Sequence, residues 1–245
     1  QEFHIAEPYE NLFYNSIVEI YSAGFLTETI FFVVMELVDG TTLKDWLGNN
    51  QLPIGRRFYI AEALTELDAQ WSKSGIYHGD LHWKNVMVQN DSRPKTYWEI
   101  GERRPLIKIL DFGTSQFVLD SKSKERHFNI LAQTITQCLY PIPLDEICPA
   151  NKPENLGTVA TRHWIQKSIC AFRAALFKMG REYVGWPYYV MDAYLGYKVP
   201  SHTDINPAKT LIEKLGLLNQ TNYEILGDSK LWSEFDGRYN KHPGN

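Results

Sequence analysis

Cysteine is scarce in this sequence, and long apolar runs are absent. The three cysteines, Cys138, Cys148 and Cys170, are odd in number and contain no CxxC pair, which argues against a disulfide framework or a zinc knuckle. This usage favours a reducing compartment, so we expect a cytoplasmic protein. The longest uncharged apolar run, residues 29–35, is far too short to span a bilayer, and no membrane partner is expected.

Acidic and basic residues are also nearly balanced in number. The 245 residues are 44% hydrophobic and 22% charged, with a formal net charge of −4, so a nucleic-acid partner is not expected. The length suits one large domain or a domain with two lobes. No signal peptide is recognisable. Because the first residue is Gln and not Met, we expect the sequence to be part of a longer chain.

The pattern of apolar residues predicts a β-rich beginning and a helical remainder. Residues 17–38 are rich in β-branched and aromatic side chains around a polar break at 27–29, which predicts a hairpin. Residues 55–73 have helical periodicity and end at Ser74-Gly75. Residues 106–110 read as a buried strand. Three later stretches are predicted to be helical: 124–139, 160–180 and 207–218.

Between the first predicted helix and a short β segment stands the polar sequence HGDLHWKN, residues 78–85. Short apolar segments, Ile76-Tyr77 and residues 86–88, frame it closely. A surface hairpin needs only two to five loop residues and one Gly, whereas this stretch carries two His, one Asp, one Lys and one Asn. The alternatives are therefore a surface hairpin and a catalytic loop.

Three residues in this region have the chemistry that phosphoryl transfer needs. That reaction requires a carboxylate to accept the proton of an acceptor hydroxyl, and oxygen ligands that hold magnesium on the nucleotide phosphates. Asp80 suits the first task. Asn85, five residues later, and Asp111, at the end of the strand over 106–110, suit the second. Taken alone, Asp111-Phe112-Gly113 is a common turn sequence.

The order of these motifs resembles the protein-kinase-like superfamily. HGDLHWKN resembles the catalytic loop H-R-D-L-x-x-x-N with Gly79 in place of Arg, and DFG (111–113) matches the magnesium-binding motif. FFVVMELVDG (31–40) resembles the last strand of the small lobe running into the hinge. The HGDLH form is similar to aminoglycoside and choline phosphotransferases and to atypical bacterial kinases. The resemblance covers about residues 17–137.

The resemblance implies an α+β, two-lobed kinase-like fold. Residues 1–38 would be the remainder of the small β lobe with the hinge, and residues 39–245 a mostly helical large lobe. The Gly-rich loop and the strand-three lysine of kinases are not seen, and no Lys occurs before residue 17. Either those elements precede Gln1 or they are absent. In kinases, the Arg that Gly79 replaces commonly pairs with an activation-loop phosphate, so no such switch is expected here.

The resemblance also assigns roles to individual residues. Asp80 would be the catalytic base, and Asn85 and Asp111 the magnesium ligands. His82 would contact the γ-phosphate or cap the loop. His78 and Phe112 would stack and position the two loops. The nucleotide would be bound by Met35 at the gatekeeper position, by backbone groups of Glu36 and Val38 at the adenine, and by Met87 under the purine; plain core packing is the alternative for Met35, Val38 and Met87.

The function implied is an enzyme that transfers the γ-phosphate of ATP to an alcohol with Mg²⁺ as cofactor. A serine/threonine protein kinase of atypical bacterial type is the first expectation, with a protein substrate preferred over a small molecule. The alternatives are an aminoglycoside- or choline-like small-molecule kinase and a pseudokinase that binds nucleotide or a partner. The basic run Lys122, Lys124 and Arg126 is read as a solvated face, and His127 as a helix-end residue that binds no ligand.

Overall fold

The structure is a computed structural model that describes residues 16–48, 54–89, 107–113, 115, 120–179, 182 and 204–217. Within these residues the fold is mixed α/β, with two small sheets and several helices. Among the residues outside these ranges are Glu7 and Glu10, candidate partners of a kinase strand-three lysine; residues 90–105, which lengthen the segment between Asn85 and Asp111; and Trp186, Tyr188 and Tyr189, expected to be core.

The predicted hairpin is confirmed. Strand β1 (Ile20–Phe25) pairs antiparallel with β2 (Phe31–Met35). The polar break forms the turn, where Thr27 Oγ1 accepts from the Ile30 amide at 3.1 Å. Several large apolar side chains of this hairpin are exposed: Tyr21, Phe25, Leu26, Ile30, Phe31, Phe32, Val34 and Met35.

A second sheet has the antiparallel order β3 (Gly40–Thr42), β4 (Val86–Gln89), β5 (Ile107–Ile109). Side chains alternate across a sheet, so Val86 and Val88 face the core together with their cross-strand partners Ile109 and Ile107. The chain before β1 joins this sheet through a parallel bridge between Ile17 and Ile109. Strand β5, called the DFG strand because it leads into residues 111–113, therefore contacts the segment that precedes the first sheet.

The helices are α1 (Leu43–Leu47), α2 (Ile54–Lys73), α3 (Ser121–Leu139), α4 (Leu144–Ile147), α5 (Val159–Met179) and α6 (Asn206–Lys214), with a 3-10 turn at Pro149–Asn151. The three long helices agree with prediction to within three residues. Helix α3 begins earlier than predicted because Asp120 caps it, accepting from the Ser123 amide at 2.7 Å. Helix α6 ends before the predicted 218 because Gly216 adopts φ 62° just beyond it.

Helix α2 lies against both α3 and α5, and their shared interior forms the core. The apolar residues that give 55–73 its helical periodicity are all buried: Phe58, Ile60, Leu64 and Leu67. Trp164 on α5 is also buried in the core. A buried Glu62–Arg173 ion pair links α2 to α5.

Two further observations concern segments. The short β segment predicted at Ile76-Tyr77 is present only as a single β-bridge residue, Tyr77, outside the named strands of the described part of the chain. The chain leaves α2 through Gly75, which has φ 76°. Among the described helices, none combines the length and the apolar composition that crossing a bilayer requires.

Candidate active site

The HGDLHWKN stretch forms a loop between α2 and β4, held by its own hydrogen bonds. Gly79 has φ 81°, a conformation in which a side chain would be strained. This backbone geometry is a physical reason for Gly where the kinase motif has Arg. The Gly79 amide donates to Nδ1 of His127 on α3 at 3.3 Å, so the loop is fastened to that helix.

The Asp80 carboxylate is the point on which the polar groups of the loop converge. Its Oδ1 accepts from Nη2 of Arg126 at 3.0 Å. Its Oδ2 lies 3.5 Å from the Asn85 amide nitrogen and 3.6 Å from His82 Nε2. The side chain is 16% exposed, which leaves it open to a substrate on one side.

Asn85 is oriented by Asp80 and by the DFG strand. Its side-chain nitrogen donates to the Asp80 carbonyl at 3.0 Å, so the amide oxygen is the atom left to face a cation. Its main-chain carbonyl accepts from the Leu110 amide at 2.8 Å. The pairing brings Asn85 beside the residue that directly precedes Asp111.

Asp111 is exposed and has φ 57°, a left-handed conformation that is uncommon for residues other than Gly and is enriched at functional sites. Its Oδ1 accepts from the Gly113 amide at 3.2 Å. Magnesium is commonly held by one or two protein oxygen ligands together with substrate phosphates and water, and the oxygens of Asn85 and Asp111 fit that requirement. No cluster of three or more His, Cys, Asp or Glu side chains suited to a metal occurs among the described residues.

His78 and Phe112 are in ring contact, with centroids 4.8 Å apart, but the rings are tilted by 56° and not stacked as predicted. Trp71 of α2 completes the cluster, stacked on His78 at 6.0 Å and edge-on to Phe112 at 5.7 Å. His78 Nε2 donates to the Leu110 carbonyl at 3.0 Å, while Nδ1 accepts from the Asp80 amide at 3.3 Å. Burial lowers the pKa of His78 to about 4, so the ring is neutral and joins the two loops as donor and acceptor.

His82 makes the capping contact that was one of its two predicted roles. Its Nδ1 accepts from the Lys84 amide at 3.2 Å, which turns Nε2 towards Asp80. The ring is partly exposed, so it borders the same opening as the Asp80 carboxylate.

The four residues predicted to bind the nucleotide are less buried than core packing would make them. Met35 is 42% exposed, and Val38 and Met87 are half-buried. Glu36 is not the solvated strand end that it resembles in sequence, because its carboxylate lies 2.7 Å from Nζ of Lys108 on β5.

Sequence reasoning missed three connections to this loop. The helix-end prediction for His127 is wrong, because this residue lies in the second turn of α3 and is buried, where its Nε2 donates to Asp68 at 2.7 Å. The expectation that it binds no ligand stays a prediction. Arg162 of α5 bonds to the same carboxylate. Arg126 was assigned to a solvated face, yet it contacts Asp80 while remaining exposed. The one sequence signal was the spacing of Lys122 and Arg126, which lie one helical turn apart and so project from the same face of α3.

Two comparisons with known proteins agree with this geometry. Residues 24–138, which run from the end of β1 to the end of α3, match the sequence model of the ABC1 atypical kinase-like domain. The chain is also 34% identical over 86 residues to the serine/threonine-protein kinase pkn2 of Myxococcus xanthus. That match covers 35% of this chain and 9% of the relative's length. Residues 24–138 are therefore similar to an atypical kinase-like domain of the protein-kinase-like superfamily.

Proposed function

We propose that this protein is an ATP- and magnesium-dependent phosphotransferase. One observation carries the proposal: Asp80 and Asn85 are hydrogen-bonded to each other in one loop, and Asn85 is bonded to the residue before Asp111. A carboxylate suited to act as a base and two oxygen groups suited to hold magnesium thus lie on neighbouring segments, in the chain order that resembles kinases.

In the proposed reaction, the oxygen of the acceptor hydroxyl forms a bond to the γ-phosphorus, and Asp80 accepts the proton of that hydroxyl. The bond between that phosphorus and the β–γ bridging oxygen breaks, and ADP leaves. Asn85 and Asp111 would hold magnesium, which neutralises charge on the phosphates. Met35, Glu36, Val38 and Met87 would enclose the purine. Positioning and electrostatics supply most of the catalysis in such a site.

For the acceptor, we propose a serine or threonine of a protein, in an atypical kinase that acts in the cytoplasm. The name of the Myxococcus xanthus relative supports this choice. We further propose residues 1–38 as the hinge side of a small lobe and 39–245 as the large lobe. The HGDLH sequence favours a small-molecule kinase as the second candidate. A pseudokinase that binds nucleotide or a partner without transferring phosphate is the third candidate.

The test is transfer of labelled γ-phosphate from ATP with magnesium by the full-length protein. Asp80→Asn keeps the shape of the side chain and removes its basicity. The matched control is Asp145→Asn, because Asp145 is an exposed aspartate on α4 that pairs with Lys152. We expect a loss of at least about 100-fold in kcat for Asp80→Asn, as removal of a general base causes, and no loss for Asp145→Asn.

The acceptor panel distinguishes the candidates. It contains the protein itself, a generic basic protein and a set of small alcohols. Label on a small molecule alone would replace the protein-kinase proposal by the small-molecule alternative. Nucleotide binding without any transfer, in wild type and Asp80→Asn alike, would favour the pseudokinase.

A further inference from the structure

Lys108 is a buried lysine whose charge the proposed mechanism does not use. It lies on β5, three residues before Asp111 in sequence, and is only 5% exposed. Lysine is almost never fully buried unless it is paired. Its Nζ donates to Glu36 Oε2 at 2.7 Å and to the Ile17 carbonyl at 3.2 Å. The ammonium group therefore joins β5 to two other segments.

The Glu36 carboxylate, which accepts this hydrogen bond from Lys108, accepts a second one from the main chain. Oε2 of Glu36 also accepts from the Glu19 amide at 3.2 Å, and the Glu36 amide donates to the Glu19 carbonyl at 2.8 Å. One side chain at the end of β2 is thus bonded to the start of β1 and, through Lys108, to β5. We call Glu36 and Lys108 the hinge clamp.

The hinge clamp lies on the face of the sheet that is assigned to the nucleotide. Met87 on β4 is the cross-strand partner of Lys108, and directly opposed residues project from the same face. The other face carries the buried residues Val86, Val88, Ile107 and Ile109. Lys108 therefore runs beside the proposed purine floor towards the segment whose backbone would meet the adenine.

We propose that Lys108 is a positioning residue for nucleotide binding, which acts by fixing the backbone of Glu36 through the hinge clamp. The proposal rests on the proposed function for the identity of the ligand. Hydrogen bonds to a base from backbone groups demand that those groups be fixed to a fraction of an ångström. Without the clamp, ATP binding must also order the end of β2, and that cost appears as weaker affinity.

The decisive experiment is a double-mutant cycle on ATP affinity in the full-length protein. The variants are Lys108→Met, Glu36→Gln and the double variant, and the probe is ATP in equilibrium binding. The matched control is Lys178→Met, since Lys178 is an exposed lysine on α5. We expect each single variant to weaken ATP binding by roughly tenfold, which corresponds to about 1.4 kcal/mol. The double variant should be weakened by roughly the same factor, because the first change already removes the interaction.

A second measurement separates positioning from general damage. The kcat of Lys108→Met at saturating ATP should stay within about twofold of wild type, because the ternary complex, once formed, has the same Asp80, Asn85 and Asp111. Unchanged ATP affinity in both single variants would overturn the proposal, and so would a roughly hundredfold loss in the double variant, which means independent effects. If Lys108→Met does not fold, Glu36→Gln decides alone.

The outcomes also keep the two proposals apart. ATP binding that shows the expected cycle, with no phosphate transfer in any variant, would retain the hinge clamp and refute the phosphotransferase. Failure of the wild-type protein to bind ATP would refute both.

Discussion

At the scale of single residues, the neutral state of His78 makes stability depend on pH. The pKa of His78 in the folded protein is about 4, chiefly because the ring is buried, against an ordinary value of 6.5. The unfolded chain therefore binds more protons than the folded one between these two values. Stability is full above pH 6.5 and is lost as the pH falls towards 4.

We predict that the free energy of unfolding falls by about 2 kcal/mol between pH 7 and pH 5 on account of this group. Urea unfolding at the two pH values measures it. His78→Gln should be less stable at pH 7 yet flatter with pH. Asp68 has a lowered pKa, so its contribution is lost only below its ordinary value of 3.8, outside this window. An equal pH dependence in the variant would assign the effect to other groups.

Arg126 also has a local effect, because its guanidinium occupies an oxygen of the proposed base. The group is 60% exposed, and exposed pairs contribute at most about 1 kcal/mol. We predict that Arg126→Ala raises kcat roughly twofold with an uncharged acceptor, because the acceptor hydroxyl no longer has to displace the guanidinium from Asp80. The same variant should change the free energy of unfolding by no more than about 1 kcal/mol. Lys122→Ala, one turn earlier on α3, is the control. A large fall in kcat would instead mean that Arg126 binds acceptor or phosphate.

At the scale of elements, a buried charged group ties three helices to the loop. Asp68 of α2 accepts from His127 of α3 and from Arg162 of α5, and His127 accepts from the Gly79 amide. Burial opposes ionisation of Asp68, but the hydrogen bond from His127 and the charge of Arg162 hold its pKa below the ordinary range. Arg162 also lies over the rings of Tyr77 and Phe128.

Removing this carboxylate should be costly. We predict that Asp68→Asn lowers the free energy of unfolding by about 3 kcal/mol, because the Arg162 guanidinium stays buried without its counter-charge. Asp145→Asn, an exposed substitution of the same type, should change it by less than about 0.5 kcal/mol. Chemical denaturation of both variants measures this. A loss for Asp68→Asn as small as that of the control would mean that the three helices are held by apolar packing alone.

The elements differ in how well the sequence reveals them. Helix α2 and the hairpin were predictable because their signals are local: a periodic apolar face, and a polar turn between β-branched runs. The Asp68 group was not, since its members are 59 and 94 residues apart and each looks like an ordinary helix residue. Lys108 was hidden inside a strand that reads as uniformly buried. The candidate residues Asp80, Asn85 and Asp111 could be proposed from their types and order, whereas the contact of Arg126 with Asp80 and that of His127 with Gly79 required the fold.

At the scale of the whole molecule, the site depends on parts of the chain that meet at β5. This strand contacts the segment before β1 by a parallel bridge, pairs with β4, and leads directly into Asp111. The proposed nucleotide site would therefore draw on both sheets at once. A ligand that contacts both should stabilise the whole folded unit and not one element.

Ligand linkage tests that consequence. At a concentration of 100 times its Kd, a ligand specific to the folded state adds about 2.7 kcal/mol of stability. For a chain of this size we predict that ATP with magnesium raises Tm by roughly 5 to 10 °C, because 1 kcal/mol corresponds to about 2–4 °C. ATP with a chelator should give a smaller rise.

Asp111→Asn should abolish the difference between the two conditions, since an amide replaces the exposed carboxylate that favours the cation. Asp39→Asn, at the exposed turn before β3, is the control and should keep the magnesium increment. Scanning calorimetry of the three proteins measures the shifts, and an increment that survives in Asp111→Asn would move the proposed magnesium site away from the DFG strand.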